Sequence, residues 1–347
     1  MTCSSKSDII LSKRVIFAEK HQTFWQNIYI LSENCTTTQF SGMLYCCLFV
    51  FNLQKGFLMK LIVNADDFGM NRTINQAVLD SFNNGILSSV SIMPNMPAFE
   101  DAIRKLKSIE NIGFGVHLNL TEYKSKLRTK EKNSKLYDSN GVFNNNFFQI
   151  LAKSNDEDFM FEVEHEFRSQ IEAALKYHPL DHLNSHKNIH SIPKIFNLVC
   201  KLAKEYEIFT VRLQREFFYI PQKLKDKSNW KNWFNARLYL NMANVKLLNY
   251  FAEINKQTLD KFSLNSTDCS IGSRYSGMMD TDTIISGLEN IKNSPATIEL
   301  ICHQNSNEKN LSNFIELKSL CSEELKKYLE SVEITSFKTY QKETVKV

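Results

Sequence analysis

What this 347-residue sequence lacks narrows its functions first. Its eight cysteines form no Cys-x-x-Cys pair: Cys46 and Cys47 are adjacent, and Cys200, Cys269, Cys302 and Cys321 stand far apart in mainly apolar settings. They read as reduced packing residues of a cytosolic protein. The 42 basic and 38 acidic residues are mixed along the chain, giving a net charge of +4 with no basic block and no interleaved aromatic stripe, so no nucleic-acid partner is expected. The apolar stretch Met43 to Leu53 is too short to span a bilayer and too far from the amino terminus for a usual secretory signal, so no membrane partner is expected either. A glycine-rich phosphate loop of the Walker type, an internal repeat and a low-complexity tract are all absent.

What is present suits a large globular fold. With 43% hydrophobic and 12% aromatic residues, the chain can bury a full-sized core as one large α/β domain or two smaller ones. The first 58 residues hold four of the eight cysteines and have no clean helical or alternating period. The folded protein is therefore expected to begin at Met59, with residues 1–58 an over-called start or a disordered leader. From there strands are predicted over 60–65, 88–93, 112–120, 180–185, 209–213, near 267–272, 296–302 and 334–337. Helices are predicted over about 73–84, 97–107, 157–177, 195–206, 280–292 and 322–330. Residues 121–156 read as a long loop or lid and 221–262 as a helical insertion. Seven or eight strand–helix units predict a mostly parallel sheet curled into a distorted (β/α) barrel.

The chain is organised around residues 58–71, where the apolar run Leu61-Ile62-Val63 stops at Asp66, Asp67 and Gly69. Carboxylates at the carboxyl end of a buried parallel strand sit where such sheets place their chemistry, although an aspartate near a helix start is also a common turn residue. His182, His186 and His190 recur at intervals of four at the end of a later strand, and His117 ends another. If those strands run parallel to the first, Asp67, His117 and His186 meet on one rim. Two imidazoles and a carboxylate with open positions describe a catalytic divalent-metal site.

Five segments, in order, carry a resemblance. Asn64-Ala65-Asp66-Asp67-Phe68-Gly69, Gly115-Val116-His117-Leu118-Asn119-Leu120-Thr121, His182-Leu183-Asn184-Ser185-His186, Gly272-Ser273-Arg274-Tyr275-Ser276-Gly277 and Glu299-Leu300-Ile301-Cys302-His303 resemble the motifs of the YdjC-like carbohydrate deacetylases, which include chitooligosaccharide deacetylases. The resemblance covers about 59–340. It implies a distorted β/α barrel that removes N-acetyl groups from mono- or oligosaccharides, with a divalent metal, Mg2+ ahead of Zn2+, on Asp67, His117 and His186, and it leaves room for a homodimer. It further implies Asp66 as the general base, His303 as the general acid for the leaving amine, and Arg274 as a residue that orients Asp66 or binds substrate. Asn184 stands where the family usually has Asp, Asn188 where it has a further histidine, and Gln304-Asn305 where it has Pro-Gly. The support of the metal ligands and the loop after His303 are thus expected to be rearranged. Two rival classes are a sugar-binding protein without turnover and another metal-dependent barrel enzyme, an isomerase or phosphohydrolase.

Overall fold

Strand β1 (Lys60–Phe68) is buried at every residue after Lys60, the pattern of a strand flanked by neighbours on both edges and covered on both faces. The computed structural model describes residues 59–109, 111–127, 134–225, 236–292 and 296–344. The expectations for residues 1–58 and for Trp230 and Trp233 of the insertion lie outside the described residues. Seven further strands follow: β2 (Ser89–Ile92), β3 (Gly113–Leu118), β4 (His182–Ser185), β5 (Thr210–Val211), β6 (Cys269–Ile271), β7 (Thr297–Cys302) and β8 (Glu333–Thr335) join β1 in one sheet, of order β5-β4-β3-β2-β1-β7-β6 with β8 pairing β1 off this path. Every pairing is parallel. One edge of β1 runs along β7 through Lys60–Ala65, and the other is shared by β8, opposite Lys60–Ile62, and β2, opposite Asn64–Phe68.

The two ends of the sheet meet. Val211 N–H donates to Asn265 O at 3.0 Å, Asn265 N–H to Phe209 O at 2.8 Å and Ser270 N–H to Arg215 O at 2.7 Å, so the chain around β5 touches the chain entering β6. The sheet is thereby curled into the distorted (β/α) barrel that the alternation predicts. Its strands all present their carboxyl ends to one rim.

The helices form where local chemistry favours them. Helix α1 (Arg72–Asn84) starts at Asn71, whose side chain accepts from Ile74 N–H at 2.9 Å. Helix α2 is Phe99–Leu106. Residues 121–156 are not only a loop: isolated bridges pair Lys124 with Val142 and Tyr137 with Phe143, and helix α3 (Phe147–Lys153) closes the segment. Asn146 and Gln149 form a capping box there, a four-residue signal that outweighs the polar composition used to predict a loop. Helix α4 (Glu157–Leu175) is capped by Asp156, and α5 (Pro193–Glu205) buries the predicted Ile195, Phe196, Val199, Leu202 and Ala203. The insertion is helical as expected, with α6 (Gln222–Lys225) and the long α7 (Ala236–Lys261). Helix α8 is Thr281–Glu289, α9 Leu311–Leu320, α10 Glu323–Tyr328 and α11 Phe337–Thr344. The sequence pattern misses α9 because Leu311 and Ile315 face solvent while Leu317 and Leu320 are buried, which blurs the period.

Among the described residues Cys200, Cys269, Cys302 and Cys321 are free thiols, the first three buried, which fits their reading as packing residues. No helix among them is long and apolar enough to cross a membrane.

Candidate active site

The two adjacent aspartates reach the same site because β1 is irregular there. In a regular strand neighbouring side chains point to opposite faces. Between Ala65 and Phe68 the register of β1 against β2 shifts, and Asp67 adopts a left-handed backbone with φ of 62°, followed by Gly69 at 100°. A left-handed aspartate at a bulge is uncommon, and such conformations concentrate at functional sites. A glycine is needed at 69, since a Cβ there would lie 3.1 Å from Met93 O in a backbone conformation that L side chains rarely adopt.

Asp67, His117 at the end of β3 and His186 just beyond β4 offer ligand atoms that all lie within 4.8 Å of one another. Asp67 Oδ1 is 3.4 Å from His117 Nε2 and 2.8 Å from His186 Nδ1. Ligands bonded at about 2.1 Å to one divalent ion stand roughly 3 Å apart when adjacent, so these edges fit a shared ion. His117 is held ready for it. Asn184 Nδ2 donates to the acceptor-only Asp66 Oδ1 at 3.2 Å, which turns the amide oxygen to His117 Nδ1 at 2.7 Å. An amide oxygen only accepts, so the hydrogen is on Nδ1 and Nε2 keeps its lone pair. The substitution of Asn184 for the family's usual Asp therefore keeps the hydrogen bond that orients the ligand.

His186 Nε2 is buried without a hydrogen bond, and the nearest acid to it is Glu122, whose Oε1 lies 3.3 Å away and is bridged to Lys187 Nζ at 2.7 Å. Burial opposes charge on the His186 imidazole, but Asp67 and then Glu122 outweigh it and raise its pKa to about 10. Burial likewise opposes charge on Asp67, and His186 and His117 overcome it to hold the carboxyl well below the ordinary range. Paired in this way, a buried N, N, O set offers a divalent cation three ligand atoms once His186 gives up its proton.

Asp66 sits in a different environment. Its Oδ2 accepts from Arg212 Nη1 at 2.7 Å, and its Oδ1 accepts from Arg212 Nη2 and Asn64 Nδ2, each at 2.9 Å, as well as from Asn184. Arg212, 2% exposed, also donates through Nε and Nη2 to Glu299 at 2.5–3.1 Å, so one buried guanidinium neutralises two buried carboxylates. Burial would raise the Asp66 carboxyl, yet Arg212 and His117 keep it well below its usual range. Ser91 Oγ completes the network by accepting from Asn64 and Asn184 and donating to His182 Nε2 at 2.8 Å. His303, at the end of β7, brings Nε2 to 3.9 Å from Asp66 Oδ2. Burial pushes the His303 imidazole below its ordinary value against the pull of Asp67 and Asp66. Its backbone is fixed on both sides, by N–H donation to Glu316 at 2.9 Å and by the Asn313 side chain on its carbonyl. These bonds hold the loop although Gln304-Asn305 replaces Pro-Gly.

Asp66, His117, His186 and His303 line one pocket of about 310 Å3, rimmed by Phe147 and Phe148 of α3, Asn241 and Asn244 of α7, and Ser273 and Ser276. Five of the six predicted site residues therefore meet. Arg274 does not join them: its guanidinium stacks 5.0 Å over the Phe218 ring and makes no ion pair with Asp66, whose orienting arginine is Arg212. The two remaining histidines of the triplet are satisfied core residues, His182 between Asp181 and Ser91, and His190 between Ser185 Oγ at 2.6 Å and Arg212 O at 3.0 Å. Sequence reasoning gave no role to Arg212, Glu299 or Glu122. Glu299 carried a signal, a charge within the apolar run Thr297–Cys302 that demands a buried partner.

The model of the family described as YdjC-like protein matches residues 60–331. A carbohydrate deacetylase of Clostridium beijerinckii is 37% identical over 152 residues, 43% of this chain and 58% of that protein. A carbohydrate deacetylase of Vibrio cholerae is 33% identical over 153 residues, 43% of this chain and 57% of its own length. The chain thus spans under two thirds of the length of these relatives. A solved protein of Enterococcus faecalis V583, described as a candidate cellobiose-phosphate cleavage protein, superimposes with a TM-score of 0.60 over 82% of this chain and 99% of its own, at 21% identity, a likeness of fold.

Proposed function

Because this chain belongs to the YdjC-like protein family, we propose that it is a divalent-metal-dependent hydrolase that removes N-acetyl groups from amino sugars or their oligosaccharides. The observation that carries the reading is the convergence of Asp66, Asp67, His117, His186 and His303 from four strand ends on one polar pocket. The relatives described as carbohydrate deacetylases support the same substrate class.

Asp67, His117 and His186 would hold the ion. When bound, a divalent metal acidifies its water and polarises a carbonyl oxygen. The remaining work falls to this chain's own groups. Arg212 keeps Asp66 ionised and its Oδ2 oriented, so that Asp66 takes a proton from the water whose oxygen forms the new bond to the acetyl carbon. His303 rests neutral, so the proton it delivers to the departing nitrogen is the one Asp66 has received, passed across the 3.9 Å gap. The carbon–nitrogen bond then breaks to give the free amine and acetic acid, which releases the second water proton to solvent as it ionises to acetate, and both side chains return to their starting states. An imidazole with a lowered pKa is a strong acid once charged, which suits a poor leaving group.

The direct test is acetate release from a panel of N-acetylated mono- and oligosaccharides. Activity is expected with the metal present, is expected to vanish on chelation, and is expected to return when a divalent metal is added back. No release from any of them with any divalent metal would overturn the reading. The role of His303 is tested separately. His303→Ala is expected to slow hydrolysis of an N-acetyl sugar by ~10²-fold or more while slowing an activated acetate ester far less, since a good leaving group needs little protonation. Equal losses on both substrates would assign His303 to oxyanion or pocket support.

A further inference from the structure

One side of the His186 ring has no partner. Its Nδ1 faces Asp67 Oδ1 at 2.8 Å, where the ion would sit, while Nε2 on the far side is buried and makes no hydrogen bond. A ring nitrogen that binds a metal offers its lone pair, so the hydrogen of the neutral imidazole sits on the other nitrogen. A metal on Nδ1 therefore leaves an Nε2–H that needs an acceptor. The companion ligand His117 already has one in the Asn184 amide oxygen at 2.7 Å. For His186 the acceptor in reach is Glu122, whose Oε1 lies 3.3 Å from Nε2.

Glu122 is built into that place from the end of β3. Asn119, fully buried directly after the strand, exchanges two bonds with Gln170 of α4: its N–H donates at 2.9 Å and its carbonyl accepts at 2.8 Å. The Asn119 side chain then clamps the Glu122 backbone, accepting from its N–H at 3.2 Å and donating to its carbonyl at 2.7 Å, and Asn95 donates to the same carbonyl at 3.3 Å. The strand that carries His117 thus also presents a carboxylate to the ligand that follows β4. Lys187 Nζ meets the same Oε1 at 2.7 Å. The chain arrives there through a turn in which Lys187 and Asn188 both adopt left-handed backbone, with φ of 52° and 54°. Such conformations cost free energy for residues with side chains and cluster at functional sites. A half-exposed Glu–Lys pair contributes little stability by itself, so the pair alone does not account for the clamp and the strained turn around it.

We propose that Glu122 is a positioning residue of the metal centre, whose carboxylate accepts the Nε2–H of His186 and holds the imidazole with its Nδ1 lone pair toward the ion. The inference rests on the reading that Asp67, His117 and His186 hold that ion. A carboxylate behind a ligating imidazole fixes the ring's tautomer and orientation and makes the ligating nitrogen more basic. Each histidine of the set then has its own acceptor, a neutral amide for His117 and a carboxylate for His186.

The test is titration of the full chain with Zn2+ in competition with a chromophoric chelator, Zn2+ being a diamagnetic ion that suits two imidazoles and a carboxylate. Glu122→Ala is expected to weaken binding by ~10 to 100-fold. Glu122→Gln, whose amide oxygen still accepts from Nε2, is expected to recover most of that loss, and Lys187→Met is expected to cause none. Nitrogen NMR of the isotope-labelled, Zn2+-loaded protein gives an independent reading. The His186 side chain is expected to show a slowly exchanging Nε2–H in the wild type and in Glu122→Gln, and a rapidly exchanging one in Glu122→Ala. Full affinity in Glu122→Ala, a loss in Glu122→Gln as large as in Glu122→Ala, a comparable loss in Lys187→Met, or a hydrogen on Nδ1 of the loaded protein would each overturn the role of Glu122 and leave the metal centre standing. A wild-type chain that binds no Zn2+ would instead overturn the metal centre and this role with it.

Discussion

Asp66→Asn is expected to retain a full equivalent of divalent metal and to lose turnover by ~10²-fold or more, while His117→Ala and His186→Ala lose metal and turnover together. The difference follows from the two environments of the adjacent aspartates. Asp67 Oδ1 is shared between the two imidazoles at 2.8 and 3.4 Å, the position of a ligand, whereas both oxygens of Asp66 are occupied by Arg212, Asn64 and Asn184. An asparagine at 66 keeps the volume and one acceptor but cannot take a proton. Elemental analysis of the purified variants, set beside acetate release, separates ligand from base. A metal-free Asp66→Asn protein would reverse the assignment within the pair.

Arg212→Met is expected to cost about 3–5 kcal/mol of folding stability at neutral pH, because it strands two buried carboxylates rather than one side chain. Asp66 is 3% exposed and Glu299 is fully buried, and both lose their shared guanidinium in the variant. The pH dependence gives the sign. In the wild type the Asp66 carboxyl titrates below its ordinary value of 3.8, so the pairing stabilises the fold above that value and is lost as pH falls through the lower, folded one. Without Arg212, burial favours the protonated acids, so the deficit relative to wild type is expected to be largest near neutrality and to shrink as the buffer is made acidic. Chemical unfolding at several pH values reads this directly. A deficit that stays constant from neutral to acidic pH would mean that the arginine acts through packing rather than through charge.

Between these two results lies the division of labour in the site. The ligand set depends on atoms that the sequence already suggested, and the behaviour of the base depends on a residue whose importance is visible only when the barrel is closed. Arg212 follows a two-residue strand and looks unremarkable in the chain, yet it is 146 positions from Asp66 and 87 from Glu299. The motif resemblance offers Arg274 either to orient Asp66 or to bind substrate, and the barrel gives the first of these places to Arg212. Position along the chain carried no information about which guanidinium faces which carboxylate.

The sequence by itself determined the parallel α/β barrel and pointed to the strand ends that bear Asp66, Asp67, His117 and His186, because buried strands are apolar runs and polar residues interrupt them where the runs stop, whereas His303 came only from the motif resemblance. Tertiary structure alone decided three things. It brought Arg212, Glu299 and Asn184 around Asp66, it set Glu122 against His186, and it turned Arg274 onto the Phe218 ring. The reason is physical. Strand and helix periods are written in neighbouring residues, whereas partners of buried charges are chosen by barrel closure, which joins strands of arbitrary separation and leaves each desolvated group only the few partners that geometry places within reach.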